Sequence, residues 1–410
     1  MEYPKIRLDV NAFPMMVEGK AMICFQDSQK LSQGVLIPQT LFARIVSFFD
    51  GQHSIREIQY EAMKRYGDLV YTDQIAEVAE KLDAALLLES PRFRERLENL
   101  KEDFRKEPLR PAFLSGSSYP ADSSGLKDQL GAYFTKPDGP GVPAREKRSP
   151  GLSGIMSPHI DFQRGGHCYA WAYKTLAEAE EADVYVIFGI AHAPSEGRFI
   201  LTSKDFETPL GIARTDKDFV QALSRECAQD LFQEEFLHRS EHSIEFQVVF
   251  VQSVLGPAMK AQIVPVLCGS FDEYLAEGRL PEEDPSVSEF LRALRSAAHI
   301  SQKRVCFISG VDLSHIGPQF GDPNPVDAFG RSGLREEDLG VVERIENLDS
   351  EGLFRRLERN GNGTRICGFP AIYVQLQTIE ASRGKILKYG QGPTPDGQSV
   401  VSFAAMAFYN

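Results

Sequence analysis

No long apolar run, no paired cysteines and no excess of positive charge are found in this 410-residue sequence, and each absence excludes something. No stretch reaches the roughly 18 consecutive apolar residues that a membrane-spanning helix requires, and "MEYPKIRLDV" lacks the apolar core of a secretory signal. The six cysteines (Cys24, Cys168, Cys227, Cys268, Cys306 and Cys367) form no CxxC pair and no disulfide-like framework. That pattern fits a reducing compartment with thiols free for metal or catalysis, so a cytoplasmic location is expected. With 45 Lys+Arg against 58 Asp+Glu, the formal charge of −13 disfavours general affinity for nucleic acid or an anionic membrane. What is present, 42% hydrophobic and 25% charged residues, suits a globular protein with ample core. Its length points to two or three domains.

Two textures divide the chain. Residues 1–106 begin with the strand-like pieces "AMICF" and "GVLI" and continue with three helical patterns, "PQTLFARIVSFFDG", "SIREIQYEAMKRYG" and "TDQIAEVAEKLDAALLLES". Ser54 followed by Glu57 is a capping-box start, and Gly67 a helix stop. A charged helix, "RFRERLENLKEDFRK", trails as a connector. Three short helices with edge strands predict a small α+β winged-helix domain.

Residues 107–410 alternate apolar strands with helices, the pattern of an α/β domain with a mostly parallel central sheet flanked by helices. The strands are "GIMSP", "VYVIFGI", "RFILTS", "AQIVPVLCG", "RVCFISGV" and "VVSFAAMAF". Helical patterns lie near 165–180, 216–227, 241–255, 285–302, 336–359 and 369–382. Stretches rich in Gly, Pro and Asp at 136–151, 316–335 and 390–398 read as loops.

In open α/β sheets, function gathers where the chain leaves the carboxyl ends of strands. His159 follows "GIMSP", His192 follows "VYVIFGI", and His315 follows "RVCFISGV", three residues after Asp312. A single loop histidine is commonly a satisfied structural residue; three at the same end of separate strands favour a site. Imidazoles with a thiolate as third ligand suit iron, copper or zinc. Cys367 precedes "GFPAIYVQL", a helix start whose unpaired N–H groups and dipole favour the thiolate. Cys168, beside His167 in a helix interior, competes less well. "EHSIE" lacks the second histidine of a zinc-protease helix. It leaves an acidic helix start with His242, and with Glu241 and Glu245 on one face.

The motifs "SPHIDFQRGGHCYAWAY", "GIAHAPS", "ETPLGIARTD", "EHSIEFQ", "VPVLCG", "SGVDLSHIG", "CGFPAI" and "VSFAAMAF", in that order, resemble the Memo family, which includes the AmmeMemoRadiSam system protein B proteins. The resemblance covers about residue 109 to 410. It implies a fold and pocket like those of class III extradiol dioxygenases, with metal ligands at His159, His192 and Cys367. It also implies acid/base residues at His315 and Asp312. Iron(II) is the first expectation, with copper or zinc as alternatives, and a radical-SAM enzyme and an AMMECR-type protein are the implied partners. Asp161, Gln163, Arg164 and the Ala after His192 depart from the family pattern. Asp161, Arg164, Glu241 and His242 are the candidate substrate-binding residues, although an ordinary surface ion pair would also account for Asp161 and Arg164.

"FFDGQHSIREIQYEAMKRYG" with "VAEKLDAALLLES" is similar to PqqD-like peptide-recognition modules. Residues 1–106 carry 15 Lys+Arg against 17 Asp+Glu, which disfavours a DNA reader and favours a peptide-binding or docking role. The expected whole is a metal-dependent, dioxygenase-like protein acting on a small molecule or peptide, or a non-catalytic docking protein built on the same site.

Overall fold

The runs "VYVIFGI" and "QIVPVLC" form strands buried along nearly their whole length, as strands covered on both faces must be. They belong to the second of two units, Met1–Lys106 and Glu107–Asn410, in a computed structural model that describes residues 1–27, 29–32, 34–67, 69–144, 151–256 and 259–410.

The first unit opens with an antiparallel sheet of β1 (Val10–Val17), β2 (Lys20–Asp27) and β3 (Val35–Pro38). The sequence reading missed β1. Glu18 and Gly19, both at positive φ, turn it tightly into β2. Helices α1 (Gln39–Arg44), α2 (Ile55–Tyr66), α3 (Thr72–Ala84) and α4 (Pro91–Lys106) follow. Ser54 and Glu57 form the reciprocal capping box of α2, and Gly67, left-handed at φ 70°, ends it. The first helical pattern breaks after Arg44 into a 3₁₀ turn at Val46–Phe48, where Val46, Phe48 and Phe49 are buried. Tertiary burial overrides a helix that β-branched and aromatic residues support weakly.

The second unit contains β4 (Leu109–Arg110), β5 (Leu152–Ser157), β6 (Val184–Ile190), β7 (Phe199–Leu201), β8 (Asp205–Thr208), β9 (Gly211–Ala213), β10 (Gln262–Cys268), β11 (Val305–Gly310), β12 (His315–Ile316), β13 (Arg383–Pro393) and β14 (Val400–Tyr409). Eight of these make one sheet, in the order β12-β14-β5-β11-β6-β10-β7 with β13 on β14. The central run β5-β11-β6-β10 is parallel, and the remaining pairings are antiparallel. The sheet is therefore mixed. β14 runs antiparallel because β13 feeds it through a short turn; β13 escaped notice because its glycines and lysines depress the strand signal. It extends to Pro393, into the stretch read as a loop from 390.

Helices α5 (Ser123–Thr135), α6 (Phe162–Glu178) and α8 (His242–Leu255) pack on one face. On the other lie α10 (Pro285–Ile300), α11 (Ala328–Glu346), α12 (Ser350–Glu358) and α13 (Phe369–Thr378), with α7 (Lys217–Arg225) and α9 (Asp272–Glu277). Alternate residues of β6 enter the two cores: Val184, Val186 and Phe188 one, Tyr185 and Ile187 the other. The pattern expected at 336–359 is two helices, split where Leu348 takes φ 56° and Asp349 caps the second. The first begins at Ala328, inside the stretch read as a loop. Of the loop expected at 136–151, residues 145–150 lie outside the described residues. Among the described residues, no helix is long and apolar enough to cross a membrane.

Candidate metal centre

β5, β11 and β6 are adjacent and parallel, so the residues just beyond them emerge at one edge of the sheet. His159, Asp312 and His192 each stand two residues past the ends of these strands. The start of α8 is drawn against this edge by two glycines. A Cβ on Gly189 would lie 2.4 Å from Ser243 Oγ, and one on Gly310 2.6 Å from the Ser243 carbonyl. That close approach carries Glu241 and His242 into the site.

Three imidazoles meet there. Ring centroids are 4.9 Å apart for His159–His192, 5.2 Å for His159–His242 and 4.6 Å for His192–His242. One ligand atom from each of the three lies within 4.8 Å of the other two. Each Nδ1 is already engaged. His159 Nδ1 is 3.0 Å from the Gly310 carbonyl, His192 Nδ1 is 3.1 Å from both oxygens of Glu241, and His242 Nδ1 is 3.0 Å from Glu241 Oε1. Nδ1–H groups given to a carbonyl or carboxylate leave Nε2 with its lone pair, as in metal-binding histidines. Glu241 also accepts the backbone N–H of His192 and of Ser243, which makes it the N-cap of α8.

Cys367 adds sulfur to this set: its Sγ is 3.3 Å from His159 Nε2 and touches His192 as well. Cys367 does not ionise as readily as its place at a helix start suggests. Burial, the largest influence, raises the thiol pKa, and the opposing pull of His192 does not cancel it. In the metal-free protein Cys367 is a thiol, and a bound cation would have to displace its proton. Burial also pushes the Asp312 carboxyl up to about 7, although it accepts the backbone N–H groups of His159 and Ile160. Burial and the neighbouring imidazoles hold His159 well below the usual histidine range. For His192, burial works against the charge, but Glu241 and Cys367 outweigh it and raise the pKa. Glu241 correspondingly stays ionised.

His315 lies at the edge of the sheet in β12, its Nδ1 3.1 Å from the carbonyls of Leu313 and Arg365. Burial, then the charge of His192, lower it to about 4, so it is neutral at ordinary pH with Nε2 free to take a proton. Arg365, left-handed at φ 55°, donates back to the His315 carbonyl and pairs with Asp322. A cavity of about 470 Å³ opens beside the site, lined by His192, Cys367 and Arg365 together with the apolar Ile190, Leu275 and Pro370.

Asp161 and Arg164 are paired with each other at 2.6 Å, and Asp161 caps α6. Cys168 is buried against the Lys388 carbonyl, and His167 faces Tyr133. His242 was expected at a ligand surface; it stands within the imidazole cluster itself. The signal for this was an acidic residue immediately before a histidine at a helix start. Arg110 and Glu245, fully buried and bonded to each other behind the site, carried no sequence signal as a pair because 135 positions separate them.

The family described as Memo-like protein matches residues 110–407. A MEMO1 family protein of Aquifex aeolicus is 29% identical over 410 residues, covering 99% of this chain and all of its own. One from Thermus thermophilus is 28% identical over 336 residues, 82% of this chain and 93% of its own. One from Methanopyrus kandleri is 30% identical over 306 residues, 72% of this chain and 97% of its own.

Proposed function

The chain belongs to the Memo family, and we propose that its site is a mononuclear metal centre held by His159, His192 and Cys367. The supporting observation is that three imidazoles converge with every Nδ1 already anchored, and that the Cys367 sulfur stands 3.3 Å from His159 Nε2. His242 is a spare donor beside them. Imidazole with thiolate suits a transition metal, with iron(II) the first candidate and copper or zinc the alternatives. Bound there, the metal would supply a Lewis-acid or redox centre with open positions.

The chain's own residues then have defined tasks in a dioxygenase-like reaction. Glu241 orients His192 and His242. Asp312 fixes the backbone of His159, and His315 accepts or returns a proton at Nε2. The adjoining cavity holds a small molecule or a peptide side chain. A cytoplasmic setting, a radical-SAM enzyme and an AMMECR-type protein as partners, and a peptide bound by a PqqD-like, winged-helix unit at residues 1–106 complete the proposal. Anaerobic iron loading followed by oxygen-uptake assays on catechols and peptides tests it. Stoichiometric iron without oxygen consumption on any of them would defeat the dioxygenase version.

One observation favours a docking role without turnover. Among the described residues, ten of the fifteen exposed large hydrophobic side chains lie in residues 1–106, including Leu8, Met16, Tyr60 and Tyr71. Co-purification with the radical-SAM partner, before and after removal of residues 1–106, decides it. Undiminished association after removal would take the docking role away from this unit.

A further inference from the structure

Glu241 carries two imidazoles and two backbone N–H groups, so the site depends on what holds Glu241 still. Its side chain is committed to the site, and its backbone is gripped from behind. Arg110, in the short strand β4, is fully buried. Its Nη2 donates to the Glu241 carbonyl at 3.0 Å and its Nε to the His238 carbonyl at 2.9 Å. Its Nη1 donates to the Pro111 carbonyl at 3.0 Å and to Glu245, one turn further along α8. Glu245, also fully buried, accepts in turn from the Leu114 N–H at 3.0 Å and from the Tyr119 hydroxyl. The guanidinium lies 5.1 Å from the Phe206 ring centroid.

A buried ion pair is weak support for stability in itself, because desolvation offsets most of its attraction. Here the bonds tie residues 110–119 to one place, the last residues before α8 and its first turn. We infer that Arg110, Glu245 and Tyr119 act as positioning residues: the strap 110–119 locks the entry to α8 so that the Glu241 carboxylate stands where both His192 and His242 can bond it. None of the three touches the metal ligands. Arg110 is the hinge pin of this arrangement because its planar fork reaches three carbonyls and a carboxylate at once, which a lysine could not do.

The discriminating variant is Arg110→Met/Glu245→Leu, which removes both charges and leaves apolar groups of similar size. Removing both charges together leaves no unpaired charge in the core, and any general loss of stability would appear in the strands as well as at the two N–H groups. Two readouts are taken on the full chain. Amide hydrogen exchange follows the His192 and Ser243 N–H groups, which donate to Glu241, against those of β6 and β11. Cobalt(II) titration follows affinity and the visible spectrum.

The expected result is about tenfold faster exchange at His192 and Ser243 with the strands unchanged. Cobalt affinity should fall about tenfold, with an altered spectrum. Unchanged protection of those two N–H groups would overturn the inference. Tyr119→Phe, which removes one hydroxyl from Glu245, should shift the same two N–H groups in the same direction by a smaller factor. It decides the question if the double variant does not fold, and no shift would again overturn the inference. The cobalt arm rests on the proposed centre and the exchange arm does not. A wild-type protein that takes up no cobalt would therefore defeat the metal reading while exchange still decides the positioning.

Discussion

Arg7 in the first unit and Arg110 in the second both have side chains wholly removed from solvent, and both pair with a buried carboxylate. Arg7 bonds Asp27 and Asp9, donates to the Leu86 carbonyl and lies 4.0 Å over the Phe93 ring. Asp27 in turn holds the N–H groups of Gln29, Leu31 and Ser32. Those bonds end at a turn and a helix terminus, so Arg7 staples chain segments together. The bonds of Arg110 reach His238, Glu245 and Glu241 around the start of α8, and through Glu241 two imidazoles. A buried arginine is thus no mark of a site in itself; the destination of its hydrogen bonds decides what it does.

The sharpest way to break this contrast is Arg7→Met. Leaving Asp27 buried without its partner should destabilise the first unit by about 3–5 kcal/mol in urea unfolding. Metal affinity at the second unit should be unchanged; a parallel loss of both would erase the distinction drawn between the two arginines. On the other side of the comparison, Glu241→Gln keeps the shape of the side chain but weakens both imidazole anchors. It should lower metal affinity about 10–100-fold by titration, with the first unit's unfolding untouched.

Protonation gives a further test. Cys367 holds its proton in the metal-free protein, so metal uptake near neutral pH should release at least about one, and affinity should rise with pH. Calorimetry in buffers of different ionisation enthalpy counts them, and a count of zero would contradict the assignment.

Asp312 makes a smaller, signed prediction. Burial raises its carboxyl from 3.8 to about 7. A carboxyl raised on folding binds its proton more tightly in the native state, so its ionisation costs stability. That cost is absent below about pH 4 and fully present above about pH 7. Metal-free Asp312→Asn protein should therefore gain on wild type between pH 5 and pH 8, measured by urea unfolding. A difference that is the same at both values would refute the shift. The smallest effect belongs to Asp161→Asn, a half-buried cap and ion pair, where a loss under about 1 kcal/mol is expected.

Much of the second unit was legible because its central strands are continuous apolar runs. Buried parallel strands also deliver their next residues to one edge, so His159 and His192 could be gathered from sequence order. His315, grouped with them there, lies in the edge strand β12, and Asp312 takes the place past β11. β13 was not legible, since a flanking strand half open to solvent carries lysines and glycines like any loop. The ionisation of Cys367 was misjudged because a helix dipole is local and visible in sequence, whereas burial is made by distant segments. His242 joined the imidazoles through the close approach at Gly189 and Gly310, a tertiary fact. The strap from Arg110 to Glu245 is non-local for the same reason.

The metal centre is tested most directly by metal content. Wild-type protein, purified without chelator, is compared with Cys367→Ser by elemental analysis. About one metal per chain is expected in the wild type and about tenfold less in the variant. Equal metal in the two proteins would remove Cys367 from the centre and leave the three imidazoles to hold it alone.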